Sequence, residues 1–220
     1  DCLLSRGLGD VYKRQPCNVC DEDDPRYGTI LKLDNDKLSI YADGVRNSVG
    51  FDWHPETKEM YFTDNGRDWM GDDIPPCELN RVVNAGDHFG FPFIHGKNIP
   101  DTGYEAPKDF VFSQPVWEFQ AHTAPLGIKF YDGESFPEYY KNGAFVAQHG
   151  SWNRSEKVGY RLLFMKMEEG DVVSADVFID GWMSNETSWG RPVTPLILKD
   201  GSMLISDDQA DSIIRVTYKG

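Results

Sequence analysis

The chain has 220 residues, 40% hydrophobic and 26% charged, which suffices for a packed core and is far from a disordered composition. Its net charge of −14 argues against nucleic acid as a partner, because phosphate-backbone affinity rests on cationic neutralisation. No run approaches the ~18 apolar residues of a membrane helix, and 10 Tyr, 13 Phe, 6 Trp, 21 Gly and 13 Pro suit an all-β protein.

Residues 1–15, DCLLSRGLGDVYKRQ, have neither the apolar core nor the cleavage pattern of a signal peptide. They read as translated adaptor sequence, non-native to the rest, so the protein proper is taken as 16–220. Cys17 and Cys20 form a Cys-x-x-Cys without the βαβ context of a redox motif and without the second pair of a zinc site. A disulfide from Cys77 to one of them is the preferred reading, against three free thiols, and would place the protein in an oxidising compartment such as the periplasm.

Residues 27–34 and 38–42 alternate as strands and lead into the segment GVRNSVGFDWHPETKEMYFTDNGRD, residues 44–68. There Phe51-Asp52-Trp53 and Met60-Tyr61-Phe62-Thr63 flank a polar, proline-bearing reversal, which predicts a hairpin. Its two ends lie side by side, so Arg46, Asn47, Asn65 and the Gly66 backbone form one polar cluster. Residues 69–79 are acidic and proline-bearing, a loop by composition, and 93–121 read as a loop-rich insertion with a strand at Trp117-Glu118-Phe119. The strand, turn, strand and terminal polar pair recur at Ile128–Phe130 with Ala144–Gly150, and at Leu196–Leu198 with Met203–Asp208. Copies roughly 70 residues apart are compatible with propeller blades carrying insertions, and a radial repeat brings corresponding strand ends to one face. On that reading Arg46, Asn47, Asn65, Gln148, His149 and Asp207 converge on one axis. Gln148-His149-Gly150-Ser151-Trp152-Asn153-Arg154 adds hydrogen-bonding groups, an aromatic plate and a cation, and Arg191 adds another cation before the last hairpin.

These motifs, GVRNSVGFDWHP, FTDNGRD, ELN at 78–80, GDHFGFP at 86–92, HTAPLG at 122–127, QHGSWNR, WGRPV and SDDQADSIIRV, resemble the glucose/sorbosone dehydrogenase family of quinoproteins, in order from about Pro16 onward. The resemblance is nearest to L-sorbosone dehydrogenase-like members. It implies a six-bladed β-propeller, of which this chain reads as about the last four blades, holding pyrroloquinoline quinone (PQQ) and Ca2+. It further implies Arg46 as the catalytic arginine, and Arg46, Asn47, Asn65, His122, Thr123, His149, Arg154 and Arg191 around the quinone. Asn65, Gly66 and Arg67 would lie at the metal. In the family a histidine base takes the sugar hydroxyl proton while hydride passes to the quinone. That histidine is expected upstream of residue 16, so the histidines present are not promoted to the role. Cys77 stands where the related D-E-I-N pattern has Asp. A sugar or sugar-aldehyde substrate, an electron acceptor such as a cytochrome or quinone, and a periplasmic or secreted location follow from the same resemblance. A non-catalytic propeller binding module, or a calcium-dependent lactone hydrolase, are the alternatives, since fold alone does not decide among them.

Overall fold

The computed structural model describes the backbone of residues 2–5, residues 18 and 19, and residues 24–219. Strands β1 (Cys2–Ser5), β2 (Ile30–Asp34) and β3 (Lys37–Asp43) form a first sheet, which β7 (Asp87–His88) extends in parallel. The tract set aside by composition thus supplies β1, paired with β2. The second sheet runs β4 (Ser48–Trp53), β5 (Met60–Asp64), β6 (Cys77–Val82) and β10 (Trp117–Phe119). Between them β8 (Ile94–His95) and β9 (Ile99–Pro100) make a small ribbon. The third sheet is a four-strand meander of β11 (Pro125–Phe130), β12 (Ala144–Gln148), β13 (Arg161–Glu168) and β14 (Asp171–Ile179). A second ribbon, β15 (Met183–Ser184) with β16 (Thr187–Ser188), precedes the fourth sheet of β17 (Pro192–Ile197), β18 (Met203–Asp207) and β19 (Ser212–Val216).

Three apolar cores stack the four sheets in chain order. Ile30, Met60 and Phe62 join the first sheet to the second; Tyr61, Leu79, Phe130 and Val146 join the second to the third; Phe145, Phe164, Met203 and Ile205 join the third to the fourth. Sheet faces covered on both sides explain why β5 and β12 are buried at every position, whereas the outer strand β14 is largely exposed or half-buried. At the centre the inner strands β4, β11 and β17 meet in turn. A Cβ on Gly50 would lie 2.3 Å from the Leu126 carbonyl oxygen, and one on Gly127 would lie 2.5 Å from Cα of Thr194, so this approach needs glycine. Polar straps cross the same seam: the Asp52 carboxylate accepts the Phe130 N–H at 2.8 Å, and Thr63 Oγ1 donates to the Leu126 carbonyl at 2.6 Å. Blades packed face to face around inner strands make the molecule a partial β-propeller of four blades.

Two expectations are corrected. The segment 69–79 is not loop throughout, because Cys77, Glu78 and Leu79 begin β6, paired on both edges; the acidic, proline-bearing composition belongs only to the residues before it. Cys77 is a free thiol buried in the second core, not half of a disulfide. Its expected partners, Cys17 and Cys20, lie outside the described residues.

Candidate functional site

Each of the three predicted hairpins carries one extra residue on its inner strand near the polar end: between Ser48 and Phe51, between Pro125 and Ile128, and between Pro192 and Thr194. Such bulges turn the strand and re-aim its side chains. They aim the polar ends at one open cavity of about 800 Å³, within the size range of small-molecule sites.

Arg46 and Arg191 are set into its wall by the same device. Asp64, the last residue of β5, accepts the backbone N–H of Arg46 at 2.9 Å and of Asn47 at 2.6 Å. Asp207, the last residue of β18, accepts the backbone N–H of Arg191 at 2.9 Å. Each guanidinium is then held by a pair of backbone carbonyls just past a strand end, that of β5 itself for Arg46 and that of β12 in the neighbouring blade for Arg191. Arg46 Nη1 donates to the carbonyls of Asn65 at 3.0 Å and Gly66 at 2.8 Å, and its Nη2 donates to Asn18 Oδ1 at 2.7 Å. Arg191 donates to the His149 carbonyl at 3.0 Å and to the Gly150 carbonyl, and lies 5.4 Å from the Tyr160 ring centroid. Its Nη1 makes no hydrogen bond among the described residues.

The cavity lining unites Arg46, Asn47, Asn65, Gly66, His122, His149 and Arg191. Thr123, Arg154 and Arg67 stand outside it. Thr123 is fully buried and bonds the Gln120 carbonyl; Arg154 pairs with Asp73 and donates to the Asp72 carbonyl; Arg67 pairs with Asp101. Gln148, also expected on the axis, is buried and accepts from Arg161. His122 bonds the Gly71 carbonyl at 2.7 Å, and His149 bonds Asp208 at 2.9 Å. Burial lowers the pKa of His149 although Asp208 opposes the shift, and burial likewise lowers that of His88, a lining residue inside the GDHFGFP motif that was not among the expected quinone contacts.

Behind Arg46 lies a buried carboxylate pair. Asp64 and Glu78 are cross-strand neighbours, and Glu78 accepts from the Gly96 N–H at 2.6 Å and from Asn80 at 2.9 Å. Burial raises the Asp64 pKa to about 6, against the bonds from Arg46 and Asn47. Burial, then the Asp64 charge, raises that of Glu78 to about 8.

The donors fit a hard cation and an anionic ligand. The carbonyls of Asn65 and Gly66 already converge on one positively charged nitrogen, and the buried Asn65 Oδ1 has no hydrogen-bond partner among the described residues. An oxygen-only set of this kind is what Ca2+ takes. The two guanidiniums suit carboxylates, in a lining that also holds Asp24, Asp43, Asp68 and Asp208.

The described residues therefore define a partial propeller with a polar cavity that carries both arginines and aspartates at its axis. The chain belongs to the TrAA12-like family, whose description matches residues 80–218. A curated protein of Borreliella burgdorferi, described as uncharacterized, is 44% identical over 194 residues, covering 86% of this chain and 51% of that one. The chain thus spans about half the length of that relative. Among solved structures, the iodide structure of Trichoderma reesei Carbohydrate-Active Enzymes Family AA12 superposes with a TM-score of 0.74 at 21% identity, over 97% of this chain and 64% of that one. The calcium structure of the same protein has a TM-score of 0.66 at 22% identity, over 80% and 53%. The holo form of the pyranose dehydrogenase PQQ domain from Coprinopsis cinerea gives 0.63 at 16% identity, over 96% and 64%. These likenesses establish a fold shared with AA12 proteins and PQQ sugar dehydrogenases. No helix among the described residues is long and apolar enough to cross a membrane.

Proposed function

We propose that this chain is the cofactor-binding part of a PQQ- and calcium-dependent oxidoreductase acting on an aldose or a sugar-derived aldehyde of the sorbosone class, in the periplasm or secreted. The observation that carries the reading is the single cavity in which two strand-end arginines and a convergent carbonyl pair face the same space. When bound, the quinone supplies the two-electron acceptor and calcium polarises it. Arg191, with its uncommitted Nη1, binds a cofactor carboxylate. Arg46 sits where negative charge develops and stabilises it. Asn65 and Gly66 give the metal oxygen donors, and Asn47 borders the same space. None of the five histidines of this chain is assigned the role of base, and a cytochrome or quinone takes the electrons onward.

The test uses the full-length protein with PQQ, Ca2+ and an artificial electron-accepting dye, against a panel of aldoses and sorbosone. Arg46→Ala is expected to lower kcat by roughly 10²-fold or more, on the scale of losing one oxyanion-type donor, with little change in quinone affinity. Arg191→Ala is expected to weaken quinone binding with kcat at saturation nearly unchanged. Equal effects of both substitutions on kcat at saturating quinone would overturn the assignment of the two arginines.

A further inference from the structure

Two loops at the rim of the cavity carry exposed indoles. Trp69 is 74% exposed and Trp152 is 65% exposed, and both line the cavity mouth. Their rings meet edge to face, centroids 6.0 Å apart at 85°, forming an open right-angled corner. Large indoles left in water beside a concave site mark a place where a ligand covers them.

Two further observations separate this pair from ordinary surface aromatics. Trp69 has φ of 70°, a left-handed conformation that costs a non-glycine residue energy and persists at sites where geometry matters. The loops are also bolted together beside the rings, because Asn153, next to Trp152, donates to the carboxylate of Asp68, next to Trp69, at 2.6 Å. The other Asp68 oxygen lies 3.5 Å from Arg46 Nη2. One bonded path thus runs from the aromatic corner to Arg46 in the cavity wall, and the corner is built before any ligand arrives.

We propose that Trp69 and Trp152 form a stacking platform for a pyranose ring, which selects cyclic saccharides over open-chain polyols at this site. A pyranose offers what the corner lacks: a flat C–H face for an indole and a ring of hydroxyls for nearby carboxylates. Asp68 beside the corner, already bonded on both sides, and Asp208 in the same cavity lining provide acceptors of that kind. The choice of a sugar as ligand rests on the proposed oxidoreductase reading; the platform itself rests on the geometry.

The experiment needs no quinone. The chain is titrated with cellobiose and, separately, with sorbitol, following tryptophan emission and binding heat. Cellobiose is expected to give a saturable change in both, and sorbitol none. Trp69→Ala and Trp152→Ala are each expected to weaken cellobiose binding roughly tenfold or more, with Trp152→Phe within about threefold of wild type. Both indoles are solvent-exposed, so their loss leaves the cores intact, and circular dichroism confirms folding of each variant. Absence of a saturable cellobiose signal, equal binding of sorbitol, or wild-type affinity in both alanine variants would overturn the platform. Should cellobiose bind as stated while the full-length protein fails to bind quinone, the platform stands and the oxidoreductase reading falls. Quinone binding without cellobiose binding would overturn the platform and leave the oxidoreductase reading in place.

Discussion

Asp64 and Asp207 occupy equivalent strand ends and place the backbone of the two cavity arginines, yet their surroundings differ. Asp64 faces the buried Glu78, whereas Asp207 Oδ1 also accepts the N–H groups of Gln209 and Ala210. The native state holds the Glu78 proton more tightly than the unfolded chain does, because burial raises its pKa from 4.5 to about 8. Its contribution to stability is therefore complete below about pH 4.5 and is lost as pH rises through 8, at up to ~1.4 kcal/mol per pH unit. Denaturation of wild type between about pH 5 and 8.5 should show falling stability, and Glu78→Gln should remove most of that slope above about pH 6. A slope unchanged in the variant would mean that Glu78 is ionised in the native state. Trp69 makes a second residue-scale test. At φ of 70°, glycine avoids the strain that alanine keeps. Trp69→Gly should thus exceed Trp69→Ala in stability by ~1 kcal/mol by denaturant unfolding, and the reverse order would show that the backbone relaxes on loss of the indole.

At the scale of elements, the inner strands depend on two glycines that a hydropathy pattern does not register. Gly127→Ala should cost about 1–3 kcal/mol, as overpacking does in a closed core, because the new Cβ meets the backbone of Thr194 in the next blade. Gly103→Ala, whose Cβ would make only a 3.5 Å contact with Asp101, should change stability by less than ~0.5 kcal/mol. Equal costs would contradict inner-strand packing across blades. The three hairpins ending in polar pairs are legible in the sequence because period-2 alternation and turn residues are local signals. The pair β13 and β14 escapes the repeat pattern, although Glu169-Gly170, both at positive φ, closes it as a two-residue turn. The strand β6 is masked by the acidic, proline-bearing residues that precede it. Where side chains end up is legible only in part. Arg46 and Arg191 can be placed because a hairpin fixes its own ends, but Arg154 pairs with Asp73, a partner far along the chain that no local pattern identifies. The Asp68–Asn153 bolt between the tryptophan loops is hidden for the same reason, joining residues 85 positions apart.

For the whole molecule, four stacked blades bring strand ends from three hairpins to one cavity, which we propose holds an anionic planar quinone with calcium. The most direct measurement is equilibrium titration of the chain with PQQ, with and without Ca2+, by absorbance and calorimetry, for wild type and Arg191→Ala. Wild type is expected to show saturable one-to-one binding that Ca2+ strengthens and that Arg191→Ala weakens roughly tenfold or more, the loss of a carboxylate–guanidinium contact being worth about 1.5–3 kcal/mol. Binding that is indifferent to Ca2+ and equal in the two proteins would contradict it.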